Sequence, residues 1–135
     1  MRRVVTVVRF GTENIPGPKR GEEKWKRESI LAAFRVMQGD YYRSVVEAGS
    51  LAYELQVFTF PLDWPWPGTI HNVVGVRQPE IVDIHDWTLW SPPVLAYLKT
   101  YCEGKGSHLV SWQREGEDIK PLALAPRHVN PRDFG

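Results

Sequence analysis

Imidazoles and carboxylates gather in the middle of the chain, where His71 is followed by Asp83, His85 and Asp86. These groups ligate Zn²⁺ or Fe²⁺, and three of them around one ion leave a position open for water or substrate. Side chains alternate along a strand, so Asp83, His85 and Trp87 share one face if this segment is extended. Pairing residues 69–76 with 81–87 as a hairpin sets His71 opposite Asp86 or, in a register one residue shorter, opposite His85. His71, Asp83 and His85 thus form a candidate metal set, and with Asp86 a candidate catalytic set. A structural hydrogen bond between His and Asp accounts for the same residue types without any ligand. Nothing else in the chain calls for a cofactor.

Other reactive groups are sparse. Cys102 is the only cysteine, which excludes an internal disulfide and any multi-cysteine metal site. It falls in the helical pattern Tyr97-Leu98, Tyr101-Cys102 and reads as core filler rather than a nucleophile. Gly104-Lys105-Gly106-Ser107 has the look of a phosphate loop, but it follows a helix instead of leading into one. Without the Walker pattern it reads as a helix C-cap and turn. Neither Gly-x-Ser-x-Gly nor His-Glu-x-x-His occurs.

Residues suited to binding are more conspicuous, because the chain holds 11 Pro and 6 Trp. In Phe60-Pro61-Leu62-Asp63-Trp64-Pro65-Trp66-Pro67-Gly68, each Pro fixes its own φ and biases its predecessor towards extended backbone. Trp64 and Trp66 cannot then both turn easily into one core. Together with Trp87 and Trp90 they are candidate protein-binding residues, since Trp is a favoured interface anchor. A rigid loop capping the core with both rings is the alternative. Phe134, in the Pro-punctuated stretch 126–135, is a further candidate knob for a partner's groove. Lys19, Arg20, Lys24, Lys26 and Arg27 surround Trp25 and combine cations with a stacking ring, as single-stranded nucleic acid requires. Glu22 and Glu23 interrupt that cluster.

Positioning these groups takes a sheet and helices. Arg3 to Phe10 is Val-rich and predicts a strand; Gly11 to Gly21, centred on Pro16-Gly17-Pro18, predicts a loop. Glu22 to Met37 predicts a helix, with Ile30, Ala33, Phe34 and Met37 at helical spacing and Gly39 ending it. Tyr41 to Glu47 favours a strand, although Asp40 would also cap a second helix. Leu51 to Phe60, Thr69 to Val76 and Ile81 to Trp87 predict further strands. Pro92-Pro93 suit the first turn of a helix running to about Cys102. His108 to Gln113 and Ile119 to Leu124 predict strands flanking a charged turn at 114–118. The expected fold is α+β: an antiparallel sheet of about six to seven strands with two helices on one face, an order that allows two βαββ-like halves. One domain over 1–125 with a C-terminal arm over 126–135 fits the length of 135 residues.

A net charge of +1 argues against non-specific binding to a phosphate backbone. The total conceals a basic start, +5 over residues 1–27, and an acidic middle, −5 over residues 28–90. The apolar run Val4 to Val8 is too short for a signal or transmembrane segment, so the expectation is a soluble cytoplasmic protein. The leading functional reading is a non-catalytic interaction or assembly protein, such as a viral structural or connector subunit, an inhibitor or an immunity-type binder. Its partner would be another protein or copies of itself. The alternatives are a small enzyme or ligand-binding domain with an aromatic cleft and a His/Asp site, and a nucleic-acid-binding domain using the basic segment.

Overall fold

The computed structural model describes residues 3–10, 24–46, 53–60, 67–85, 90–115 and 118–125. Strands and helices alternate for most of it: β1 (Arg3–Phe10), α1 (Lys24–Val46), β2 (Tyr53–Phe60), α2 (Pro67–Arg77), β3 (Ile81–Asp83), α3 (Pro92–Lys105), β4 (His108–Glu115) and β5 (Asp118–Ala125). A helix between successive strands returns the chain to its starting edge, so the strands it joins run parallel. Among the described residues the sheet has five strands in the order β2-β1-β3-β4-β5. β2, β1, β3 and β4 are mutually parallel, and β5 is antiparallel to its neighbour β4.

The expected antiparallel sheet of six to seven strands with two helices on one face is therefore wrong, and the two βαββ-like halves fall with it. Two segments account for the error. Residues 69–76 were expected as a strand because Ile and Val crowd them, yet they lie in α2. Ile70, Val73 and Val74 are buried at i, i+3 and i+4, a helical stripe that leaves Val76 79% exposed. The hairpin of 69–76 with 81–87 accordingly does not exist. Residues 41–46 were expected to begin a strand but continue α1 through Gly39. Gly in a helix interior costs about 1 kcal/mol, and the burial of Gln38 and Tyr42 on either side of it outweighs that.

With this strand order the chain first moves outward from β1 to β2 and then back across to β3 and β4. Crossovers of one hand must then place α1 on one face and α2 and α3 on the other. The packing agrees. Phe34 and Tyr42 of α1 form one buried cluster with Val7, Ile81, Val110, Trp112 and Ile119. Ile70, Val73 and Val74 of α2 and Val94, Leu98 and Cys102 of α3 form another with Val8, Phe10, Val82 and Leu109. α3 begins with Pro92-Pro93 after Ser91 and ends at Gly106, whose φ of 72° is the left-handed C-cap expected of that glycine. Among the described residues no helix is long and apolar enough to cross a membrane.

Candidate functional site

In a sheet of this topology the carboxyl ends of β1 and β3 are the switch point, because the chain leaves them towards opposite faces. Sheets of this topology take ligands outside such strand ends. The floor of that edge is built by the last residues of β1 and β3. Arg9 pairs with Thr59 on one side and Asp83 on the other, all on the α1 face.

Two elements rise above that floor. β4 runs five residues beyond Val110, the partner of Asp83, which carries it about 16 Å past the strand ends at about 3.3 Å per residue. Phe34 of α1 meets His85 just beyond β3, with ring centroids 5.7 Å apart. The helix extends ten residues further, to Lys24, or about 15 Å at about 1.5 Å per residue. Ile119 of β5 is buried in the same cluster that Ile30 and Leu31 of α1 pack against, which ties the hairpin to the helix.

Asp83 is wholly buried, and its carboxylate is encircled by donors. Oδ2 accepts from Gln38 Nε2 at 3.0 Å, Tyr42 OH at 2.6 Å and Trp112 Nε1 at 2.9 Å. Oδ1 accepts from the backbone N–H of His85 at 2.9 Å. Arg35 donates to Gln38 Oε1 at 3.1 Å and fixes which way that amide points. A carboxylate with about four acceptor sites is saturated by such a set, so Asp83 organises the site instead of abstracting protons. Burial, then the Asp83 charge and its hydrogen bond, push the Tyr42 phenol far above its ordinary pKa, while nearby Arg9 opposes the rise.

The bond from His85 N–H to Asp83 helps hold His85 at a φ of 65°, a left-handed conformation uncommon outside glycine. The carbonyl of His85 accepts from the N–H of Trp112 and the hydroxyl of Ser111. These bonds over-determine a strained residue at the carboxyl edge, and strain of this kind often accompanies function.

Arg9 is partly buried, and its Nε and Nη2 donate to Thr59 Oγ1 at 3.2 and 3.1 Å. Among the described residues it has no carboxylate partner. The Asp83 carboxylate lies in register beside it and the Tyr42 hydroxyl lies within its reach, so Arg9 sits next to one negative charge without a direct ion pair to it and keeps donor capacity for an anion.

The residues singled out from the sequence are scattered. Asp83 and His85 do share a face, as alternation requires. His71 belongs to α2 on the opposite face, where its Nδ1 lies 2.7 Å from Tyr97 OH. The sheet thus separates it from Asp83 and His85, and the proposed metal set is not assembled. Among the described residues no group of three His, Cys, Asp or Glu is placed to hold a metal ion. Trp90 is buried at 5% exposure against Phe10, not displayed on the surface. Lys24, Trp25, Lys26 and Arg27 occupy the first turn of α1. They lie far along the helix from the level of Arg9, which is set by Tyr42 and Asp83. Trp64, Trp66, Asp86, Trp87, Phe134, Lys19 and Arg20 lie outside the described residues, as does the arm 126–135. Cys102 is core, as expected, and burial pushes its thiol up to about 12.

Arg9, Gln38, Tyr42 and Trp112 did not stand out in the sequence. One signal was available. Gln38 falls on the apolar stripe Phe34, Tyr41, Tyr42, Val45, and a polar residue on a core-facing stripe demands a buried partner.

A cavity of about 160 Å³ lies at the opposite, amino edge, with Gln78, Glu80, Tyr101, Lys105 and Ser107 in its walls. The carboxyl ends of α2 and α3 converge there, which disfavours anions, and Lys105 opposes that effect. Comparison of the chain with protein-family models, with curated proteins and with solved structures finds no match.

Proposed function

We propose that the chain is a ligand-binding α/β domain that takes a small anionic molecule at the carboxyl edge of its sheet, between the ends of β1 and β3. The observation that carries this reading is Arg9: partly buried at the switch point, held by Thr59, and, among the described residues, beside the Asp83 carboxylate without a direct ion pair to it. The Asp83 network supports it by fixing the floor on which Arg9 sits. Binding rather than catalysis is favoured by the state of the nearby acids and bases. Asp83 is saturated with donors, Tyr42 is held protonated, and the Cys102 thiol is both buried and on the other face. Of the residues first suggested for protein docking, Trp90 is in the core.

Calorimetric titration with inorganic phosphate, sulfate and acetate tests the proposal. Saturable binding of at least one anion is expected, weakened about tenfold or more in Arg9→Met, because a hydrogen bond to a charged group contributes about 1.5–3 kcal/mol. Arg9→Lys should fall between the two, since it keeps the charge and loses the fork. Absence of binding, or equal affinity in Arg9→Met, would overturn the reading.

A further inference from the structure

The two edges of the sheet are built differently. Among the described residues β5 lies at one edge and β2 at the other. An edge strand invites pairing with another chain, and proteins blunt it with Pro, Lys or a bulge. β5 carries Lys120 and Pro121, and its ladder with β4 slips between Leu109 and Val110. β2, Tyr-Glu-Leu-Gln-Val-Phe-Thr-Phe, has no Pro, Gly, Lys or Arg and pairs with β1 in unbroken register along its whole length. Glu54, Gln56, Val57 and Thr59 are exposed along it.

The side chains of β2 indicate what pairs there. Phe58 and Phe60 pack on the α2 face. The guanidinium of Arg77, at the end of α2, covers both rings at 4.7 and 5.0 Å from their centroids. Its Nε is buried with no hydrogen-bond partner, so the group keeps donor capacity for a carboxylate. Glu54 lies four residues before Phe58 and therefore on the same face of the strand. Suppose two copies of β2 meet antiparallel with Gln56 opposite Gln56 on a two-fold axis. Glu54 of one copy then falls opposite Phe58 of the other, with Cβ atoms about 5 Å apart. A carboxylate there reaches the guanidinium that covers Phe58, and the symmetry makes the contact twice. On the α1 face the same register sets Leu55 against Val57, which is 38% exposed. Charged, amide and apolar side chains all find complements in this one register.

We infer that β2 is a self-association edge: two copies of the chain pair antiparallel along Tyr53–Phe60, with Glu54 of each copy on Arg77 of the other, and join their sheets into one. The inference does not depend on the anion-binding reading.

Sedimentation velocity on the full chain tests it. A species of twice 15.5 kDa should form as concentration rises towards about 1 mM. Glu54→Arg, a change at an exposed position, should weaken association about tenfold or more, because it opposes like charges across the interface. Arg77→Glu should do the same. An equimolar mixture of these two variants should recover association, since each contact then joins opposite charges; circular dichroism checks that both are folded. Gln56→Cys reads the register: directly opposed strand residues have Cα atoms about 4.5–5.5 Å apart, within disulfide range, so mild oxidation should link the two copies. Cys102 is buried and does not compete. A chain that stays at 15.5 kDa throughout overturns the inference, whether another segment of the chain covers β2 or a different partner does. A dimer that Glu54→Arg leaves intact, mixed variants that fail to associate, or absence of the Gln56→Cys cross-link overturns it as well. Should Arg77→Glu fail to fold, Glu54→Arg and the cross-link decide the matter.

Discussion

Replacing Tyr42 by Phe keeps the ring and removes one hydroxyl, the donor 2.6 Å from Asp83 Oδ2. Tyr42 is 1% exposed and Asp83 is fully buried, so water is poorly placed to take over the bond. A hydrogen bond to a charged group is worth about 1.5–3 kcal/mol, and that is the expected loss of unfolding free energy. For a chain of this length the loss should lower Tm by roughly 5–15 °C. The assay is urea unfolding followed by far-UV circular dichroism, with the slope expected to stay constant because the surface exposed on unfolding barely changes. Trp112→Phe removes a second donor to the same oxygen, so the two losses should not add. Asp83→Asn provides the decisive background. The amide presents N–H groups where donors already converge, and in that background Tyr42→Phe should cost much less than in the wild type. A loss below about 0.5 kcal/mol, or an equal loss with Asp83→Asn present, would refute Asp83 as the acceptor around which the α1 face is organised.

The remaining predictions concern titration and reactivity. Burial raises Tyr42 far above 10.0 and, together with the Asp83 charge, raises Tyr41 to about 12. The unfolded chain therefore releases these protons first, and stability should fall as pH rises above 10.0, a decline that Tyr42→Phe should make shallower; alkaline unfolding midpoints measure it. His108 moves the other way: burial lowers its pKa below 6.5, only partly opposed by Asp83, so its contribution is present above pH 6.5 and declines as pH falls below that value. His108→Gln should flatten that acid limb, measured by urea unfolding at stepped pH. Cys102 should resist aromatic disulfide reagents at pH 8 in the native protein and react at once in denaturant, because burial pushes its thiol up to about 12.

Much of the frame was legible where local chemistry and tertiary structure agree. Val-rich residues 3–10 form the expected strand, the hairpin of β4 and β5 falls where the charged turn at 114–118 placed it, and the Pro92-Pro93 start of α3 holds. The errors came where propensity and packing disagree. Ile and Val in α2 and Tyr and Val at the end of α1 are strand formers by propensity, and the helical spacing of Ile70, Val73 and Val74 was the better guide. Those two misreadings turned a mostly parallel sheet into an antiparallel one, and the one in α2 carried His71 to the wrong face. The site suffered differently. Asp83 and His85 were recognised as neighbours on one face, but Gln38, Tyr42 and Trp112 meet Asp83 from sequence separations of 45, 41 and 29 residues. Only the topology brings those donors together. Arg9 was not legible as the centre of a site, because a charged residue at a strand end is ordinary until its neighbours are known.

The most direct test of an anion site at the carboxyl edge is a phosphate titration of the ¹⁵N-labelled chain, following backbone amides and the Arg9 side-chain N–H. Shifts should centre on Arg9, Phe10, Thr59 and the stretch from Asp83 to His85, saturate together, and disappear in Arg9→Met. Shifts centred instead on Gln78 to Glu80 and Lys105 to Ser107 at the amino edge, or none at all, would contradict it.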